Sequence, residues 1–175
     1  MTRIEVTKKI EISIKLMSET LSQFSSEPFF SRKNDKWSPA EQAQHLVLSI
    51  KPLQLAYRLP GFALRLLFGK MNRPTRTYEE LLDKYHAKLE TGATASAAYV
   101  PKQLKTGTTP EGVIVSLQIA HQQLLKKVEK WKESDLDKYV LPHPLLGKIS
   151  LREMLYFTDF HILHHNTLAK TIYLS

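Results

Sequence analysis

The sequence predicts an all-α fold, an antiparallel bundle of four long helices with an insertion of short helix and loop between the second and third. Three observations carry that prediction. Apolar residues recur at helical spacing in four long stretches, with polar and charged residues between them. Helix-start signals stand at Ser38, Thr109 and Ser150, and a further one at Thr77 opens a shorter stretch. No segment shows sustained strand alternation, an internal repeat or a Gly-rich phosphate loop.

The first amphipathic helix is read from Ile4 to about Phe24, where Ile10, Ile14, Leu16, Met17 and Leu21 mostly keep the helical period. Ser25 to Lys36 is polar, holds Pro28 and Asn34-Asp35, and breaks that period. Trp37-Ser38-Pro39-Ala40-Glu41 then combines an N-cap serine, a proline at the first helical position and a glutamate placed to complete a capping box. The second long helix starts there and runs to about Tyr57 through Leu46, Ile50 and Leu53, with Pro52 placed to kink it. His45 lies on it one turn after Glu41. Its neighbours Leu46, Ser49 and Leu53 put it on a partly buried face, where an imidazole needs a partner inside the protein.

Residues 60 to 109 carry weaker signals. Leu59-Pro60-Gly61 reads as the end of the second helix, and Gly69 through Arg76 as a basic turn. Thr77-Tyr78-Glu79-Glu80 is a capping box that opens a short helix to about Glu90. Gly92 to Thr109 is small, polar and aperiodic, and reads as a long surface loop, either a rim over a pocket or a mobile connection.

Thr109-Pro110-Glu111 restarts a helix that continues to about Trp131 through Ile114, Leu117, Leu124, Leu125 and Val128. His121 falls on or beside that stripe and reads, taken alone, as a core or boundary histidine. Ser134 to Ile149 reads as a connection, and Pro-flanked His143 and isolated His86 as surface residues. Ser150-Leu151-Arg152-Glu153 is a capping box, and the last helix runs to about Ile172 with Met154, Phe157, Leu163 and Leu168 as its stripe.

At 175 residues the chain fits one domain spanning 1–175, with 60–109 as the insertion, and can bury a core without disulfides. It has no cysteine, which excludes thiolate metal sites and cysteine nucleophiles, so any metal must take His or oxygen ligands. The N-terminus mixes charged and apolar residues without the apolar core of a secretory signal, so the expected location is cytoplasmic. Pro60 to Phe68 is apolar but interrupted by Arg65, far short of the roughly 20 residues of a membrane span. The net charge of +8 invites polyanion partners, yet the basic residues are scattered and no nucleic-acid motif occurs, so no specific nucleic-acid partner is expected.

Chemistry concentrates at Phe160-His161-Ile162-Leu163-His164-His165-Asn166, which holds three of the seven histidines. His161 and His165, four residues apart on a helix, project from one face and can hold a divalent cation. With His45 from the second long helix they would form a three-imidazole set that leaves a tetrahedral position open, as at a catalytic metal. The same spacing also suits two boundary histidines.

Three motifs together, Trp37-Ser38-Pro39-Ala40-Glu41-Gln42-Ala43-Gln44-His45-Leu46, Leu145-Leu146-Gly147-Lys148-Ile149-Ser150-Leu151-Arg152-Glu153 and the terminal His161-x-x-His164-His165, resemble the DinB-like (DinB/YfiT) family of metal-dependent enzymes. The resemblance covers most of the chain outside residues 60 to 109. It implies a four-helix bundle, often a homodimer, in which His45, His161 and His165 hold a divalent metal, while His164 matches a position not assigned as a ligand. Many relatives continue with Arg-Gly-Gln where this chain has Asn166-Thr167-Leu168.

The function expected from this is metal-dependent chemistry on a small molecule, by transfer of a low-molecular-weight thiol or by hydrolysis. Zinc, nickel or iron would suit the imidazoles. The alternative is a binding or stress-associated module whose metal is structural or vestigial. Glu41 could act as a general base or orient a ligand, against its plainer place in the capping box. Phe62 to Arg73, where apolar residues alternate with Arg65, Lys70 and Arg73, adds a third reading, contact with an anionic membrane surface.

Overall fold

The computed structural model describes residues 1–92 and 96–174. Seven α-helices carry the fold among them: α1 (Arg3–Leu21), α2 (Ser26–Phe30), α3 (Pro39–Ala56), α4 (Gly61–Phe68), α5 (Tyr78–Glu90), α6 (Pro110–Val128) and α7 (Leu151–Tyr173). The four long ones, α1, α3, α6 and α7, pack as a bundle. Their starts follow from local chemistry. Ser38, Thr77 and Ser150 each close a reciprocal capping box, with Glu41, Glu80 and Glu153 respectively. Thr109 caps α6 ahead of Pro110. Thr2 with Glu5 makes a fourth box at the head of α1, a signal outside the reading that began this helix at Ile4.

The bundle is held by one apolar core to which each long helix contributes, including Ile10, Met17, Leu46, Leu117, Leu124, Leu151 and Leu155. Ile4 does not join it and is 70% exposed. Helix direction follows from which ends meet. Gln42 lies against His165 while Tyr57 reaches Leu151, so α3 and α7 run antiparallel. Arg3 reaches Trp131 while Ser18 meets Gln118, so α1 and α6 are antiparallel as well. Met1 meets Tyr156 and Phe24 meets Tyr173, which makes α1 and α7 parallel neighbours. It follows that α3 and α6, which also pack together, are parallel, and the long crossover is what joins them, since parallel neighbours cannot be joined by a tight turn.

Two stretches differ from the sequence reading. Pro60 and Gly61 do not simply end a helix: Pro60 stands as N-cap to α4, which buries Leu64 and brings Gly61 against the ring of Tyr139. The connection before α7 contains a two-stranded antiparallel hairpin, β1 (Val140–His143) and β2 (Gly147–Ser150), paired from Val140↔Ser150 to His143↔Gly147. Four-residue strands are too short to show alternation, and Gly147 takes the positive φ of +73° at the end of the turn. The hairpin delivers Ser150 directly into the cap of α7. Of the expected loop from Gly92 to Thr109, residues 93–95 lie outside the described residues, and Ala97–Tyr99 forms a 3-10 turn.

Buried polar groups pin the insertion to the bundle. Glu153, fully buried, accepts from Arg73 at 2.7 and 2.9 Å, from the Arg76 amide at 2.9 Å and from the Ser150 amide at 2.8 Å. The paired arginines and amides hold its carboxyl below the usual range in spite of burial. Asp159 accepts from Ser13 at 2.6 Å and from the Tyr78 hydroxyl at 2.8 Å, so α1, α5 and α7 meet at one carboxylate.

Candidate metal centre

His45 sits two turns into α3, and the capping box at Ser38 fixes where that turn begins. His161 and His165 stand one turn apart on α7. The antiparallel contact of α3 with α7 brings all three buried rings together: His45 Nε2 lies 3.0 Å from His161 Nε2, and His165 Nε2 lies 3.1 Å from His161 Nε2. One nitrogen from each lies within 4.8 Å of the other two. Nitrogens held around one tetrahedral cation at 2.0–2.1 Å stand roughly 3.3 Å apart, so little adjustment would bring the set onto an ion.

The outer nitrogens settle the protonation. His45 Nδ1 lies 2.7 Å from the Tyr99 carbonyl, and His165 Nδ1 bonds to Gln42 Oε1. Both oxygens can only accept, so both Nδ1 atoms carry the proton and both Nε2 atoms present lone pairs. Gln42 is itself oriented, since its amide nitrogen donates to the Trp37 carbonyl at 3.3 Å. His161 Nε2 therefore faces two lone pairs and has at most one proton to offer. A cation at the point of convergence would relieve the N···N contact left over, and an acceptor on the far nitrogen is the usual support of a metal-bound imidazole.

Burial keeps these rings neutral. His161 and His165 are pushed well below the ordinary histidine range by burial first and by their neighbours' charges second. His45 is lowered by burial against the opposing pull of the Tyr99 carbonyl. Aromatic walls enclose the cluster: Trp37 lies 4.9 Å from the His45 ring and stacks on His165 at 6.3 Å, and Phe157 stacks on His161 at 4.9 Å. Three neutral, converging imidazoles in a largely apolar shell fit a divalent ion of the zinc, nickel or iron type.

The three nitrogens open into a cavity of about 830 Å³, walled by α3 and α7, by Tyr85 and Leu89 of α5, by Tyr99 and Val100, and by Pro142 to Leu145 of the hairpin turn. His164, half-buried, also lines it. The insertion thus reaches the site. Glu41 does not line the cavity: its carboxylate closes the α3 capping box and takes three bonds of 3.0, 2.9 and 2.6 Å from Arg32.

Two other histidines also belong to this region. His143, expected at the surface, is buried, packs 4.2 Å from Phe157 and accepts from the Leu145 and Leu146 amides at 3.2 Å. The tight hairpin turns it inward, and no local sequence pattern marks so short a hairpin. His121 is 1% exposed, lines the cavity and donates from Nδ1 to the Leu117 carbonyl at 2.8 Å, while its Nε2 has no partner among the described residues. Burial pushes both down to about 4. His86 is exposed, as expected.

A family model described as the DinB superfamily matches residues 10–169. Among solved structures, the chain is similar to TT2238, described as a four-helix bundle protein, with 19% identity and a TM-score of 0.63 over 97% of this chain and 99% of that one. It is also similar to the colibactin self-resistance protein ClbS, solved in complex with a dsDNA, with 16% identity and a TM-score of 0.59 over 99% of this chain and 96% of that one. No curated protein matches.

Proposed function

The chain belongs to the DinB superfamily, and from that premise we propose that it is a metal-dependent enzyme in which His45, His161 and His165 hold one divalent cation. Zinc, nickel and iron are the candidates. The observation that carries the reading is the pair of acceptor-only oxygens behind His45 and His165, which aims two bare Nε2 lone pairs at His161. A bound cation would supply Lewis acidity toward a thiol or a polarised carbonyl. The residues around it do the rest. Trp37 and Phe157 restrict water, Tyr85, Tyr99 and Leu145 shape the space a small substrate would fill, and burial favours the neutral imidazoles that a metal needs as ligands.

The reaction class proposed is transfer of a low-molecular-weight thiol or hydrolysis, since a chain without cysteine must take any thiol from a cosubstrate. Glu41, tied to Arg32 and the α3 cap, is given no proton-transfer role in this proposal. The family's homodimer is part of the same reading. Because ClbS was solved with a dsDNA and this chain carries +8, the sequence-based exclusion of nucleic acid is not kept, and DNA belongs among the ligands tested.

Metal content of the tag-free protein, measured beside His45→Ala, tests the site. Near-stoichiometric metal lost in the variant is the expected result, and equal substoichiometric metal in both overturns it. Screening thiols against electrophiles, then esters and amides, separates transfer from hydrolysis. Metal-loaded protein inert toward all of them would favour a non-catalytic module.

A further inference from the structure

Outside the cavity of the metal centre, α4 presents an apolar face that none of the described residues covers. Phe62, Leu66 and Leu67 are 74%, 85% and 60% exposed, while Leu64 on the opposite side is fully buried. Phe62 and Leu66, four residues apart, lie one above the other on that face. The helix is held firmly from behind. Gly61 sits so close to Tyr139 that an added Cβ would come within 2.4 Å of its ring, Lys70 bridges to Tyr139, and Lys148 donates to the Phe68 carbonyl at 2.7 Å.

The surroundings are cationic. From Gln42 through Tyr78 the chain has no Asp or Glu, but it has Lys51, Arg58, Arg65, Lys70, Arg73 and Arg76. Arg73 and Arg76 are turned inward to Glu153. Arg58, Arg65 and Lys70 remain exposed on and beside α4, joined by Lys148. Asp135 and Asp137, on the segment whose Lys138 carbonyl meets the Met71 amide, are held by Lys138 and Arg152.

We propose that the outer face of α4 is a docking surface for an anionic lipid bilayer, with Phe62, Leu66 and Leu67 entering the headgroup boundary and Arg58, Arg65 and Lys70 meeting the lipid phosphates. Aromatic and aliphatic side chains ringed by Lys and Arg on a preformed helix are what such an interface takes. A second copy fits less well. Three side chains offer on the order of a few hundred Å², against about 800 Å² per partner in a stable interface, and a two-fold contact would set Arg65 and Lys70 against their own like charges. Duplex DNA would use the cations but not the exposed Phe62 and Leu66. No helix among the described residues is long and apolar enough to cross a membrane, so the contact is peripheral.

Flotation of the full chain with vesicles tests this. Phosphatidylcholine vesicles containing about 30% phosphatidylglycerol are expected to carry the protein and pure phosphatidylcholine vesicles are not, with binding weakened as salt shortens the Debye length. Phe62→Ser/Leu66→Ser, both at exposed positions, should lower binding at least ten-fold with unchanged circular dichroism and thermal midpoint. Arg65→Gln should lower it about five-fold. Failure to float with anionic vesicles, or flotation that the double variant leaves unchanged, overturns the proposal. A double variant that converts a dimer to a monomer in sedimentation, with no vesicle binding by either form, assigns the face to a second copy instead. Metal content is independent of every arm.

Discussion

Replacing Gln42 by Leu removes the oxygen that holds the proton on His165 Nδ1, without touching any of the three proposed ligands. Two consequences can be sized. In the metal-free protein the Nδ1–H becomes a buried donor without a partner, which costs about 1–3 kcal/mol. For a domain of this length that lowers the thermal midpoint by roughly 2–4 °C per kcal/mol. Second, the His165 proton is free to move to Nε2, where it blocks the lone pair that faces His161. Loss of such a supporting acceptor weakens metal binding by about 10–100-fold, which corresponds to roughly 1.4–2.7 kcal/mol. Calorimetric titration of apoprotein with zinc or nickel, in competition with a chelator, reads the affinity, and nitrogen NMR of the imidazoles reads the tautomer. Gln42→Glu is the control, because a carboxylate accepts the same bond. The expected order is wild type and Gln42→Glu together, with Gln42→Leu well below. Undiminished affinity in Gln42→Leu, with His165 still protonated at Nδ1, refutes the claim that this bond aims the ligand.

Burial lowers His121 and His143 to about 4, so below the unfolded value near 6.5 the unfolded chain takes up protons that the folded chain refuses. Stability from these two groups is therefore intact above pH 6.5 and falls as pH drops from about 6.5 toward 4, by up to roughly 1.4 kcal/mol per pH unit for each. Thermal midpoints at constant ionic strength should decline from pH 7 to pH 5, and His121→Leu should shallow that slope. Glu153→Gln strips the charge from the buried carboxylate that joins Arg73 and Arg76 and leaves two half-buried guanidiniums short of a counterion; a loss of about 3 kcal/mol in chemical denaturation is expected, and a loss below about 1 kcal/mol would contradict the assigned role. Gly61→Ala drives a methyl into the Tyr139 ring and should cost about 1–3 kcal/mol by the same measurement, whereas a neutral result would show that α4 shifts freely.

The parts of this fold legible in the sequence are those fixed by local chemistry. Ser38, Thr77, Thr109 and Ser150 stand at helix starts because each side chain answers an amide three residues on, and that requirement is visible in a four-residue window. His161 and His165 declare a shared face by spacing alone. His45 joins them through a contact between residues more than a hundred positions apart; its place on a partly buried helix face makes it a candidate, and the family resemblance adds weight to that choice. Less legible were features with no local signature. The β1–β2 hairpin draws its stability from its neighbours, α4 depends on Tyr139 behind Gly61, and the parallel pairing of α1 with α7 comes from a crossover whose length says little about direction. The wall built from Tyr85, Tyr99 and Leu145 was unreadable for the same reason, since each comes from a different element.

The Tyr99 carbonyl ties the crossover to the histidine cluster. It belongs to a short turn in the crossover, yet it holds the proton of His45 and so fixes one corner of the cluster. Whatever steadies that turn, such as a molecule pressed between Tyr99 and Leu145, favours the His45 tautomer that leaves Nε2 bare, and an ion on Nε2 steadies the turn by the same free energy. Substrate and metal affinity should then be reciprocally coupled through a single main-chain oxygen, each rising when the other ligand is bound.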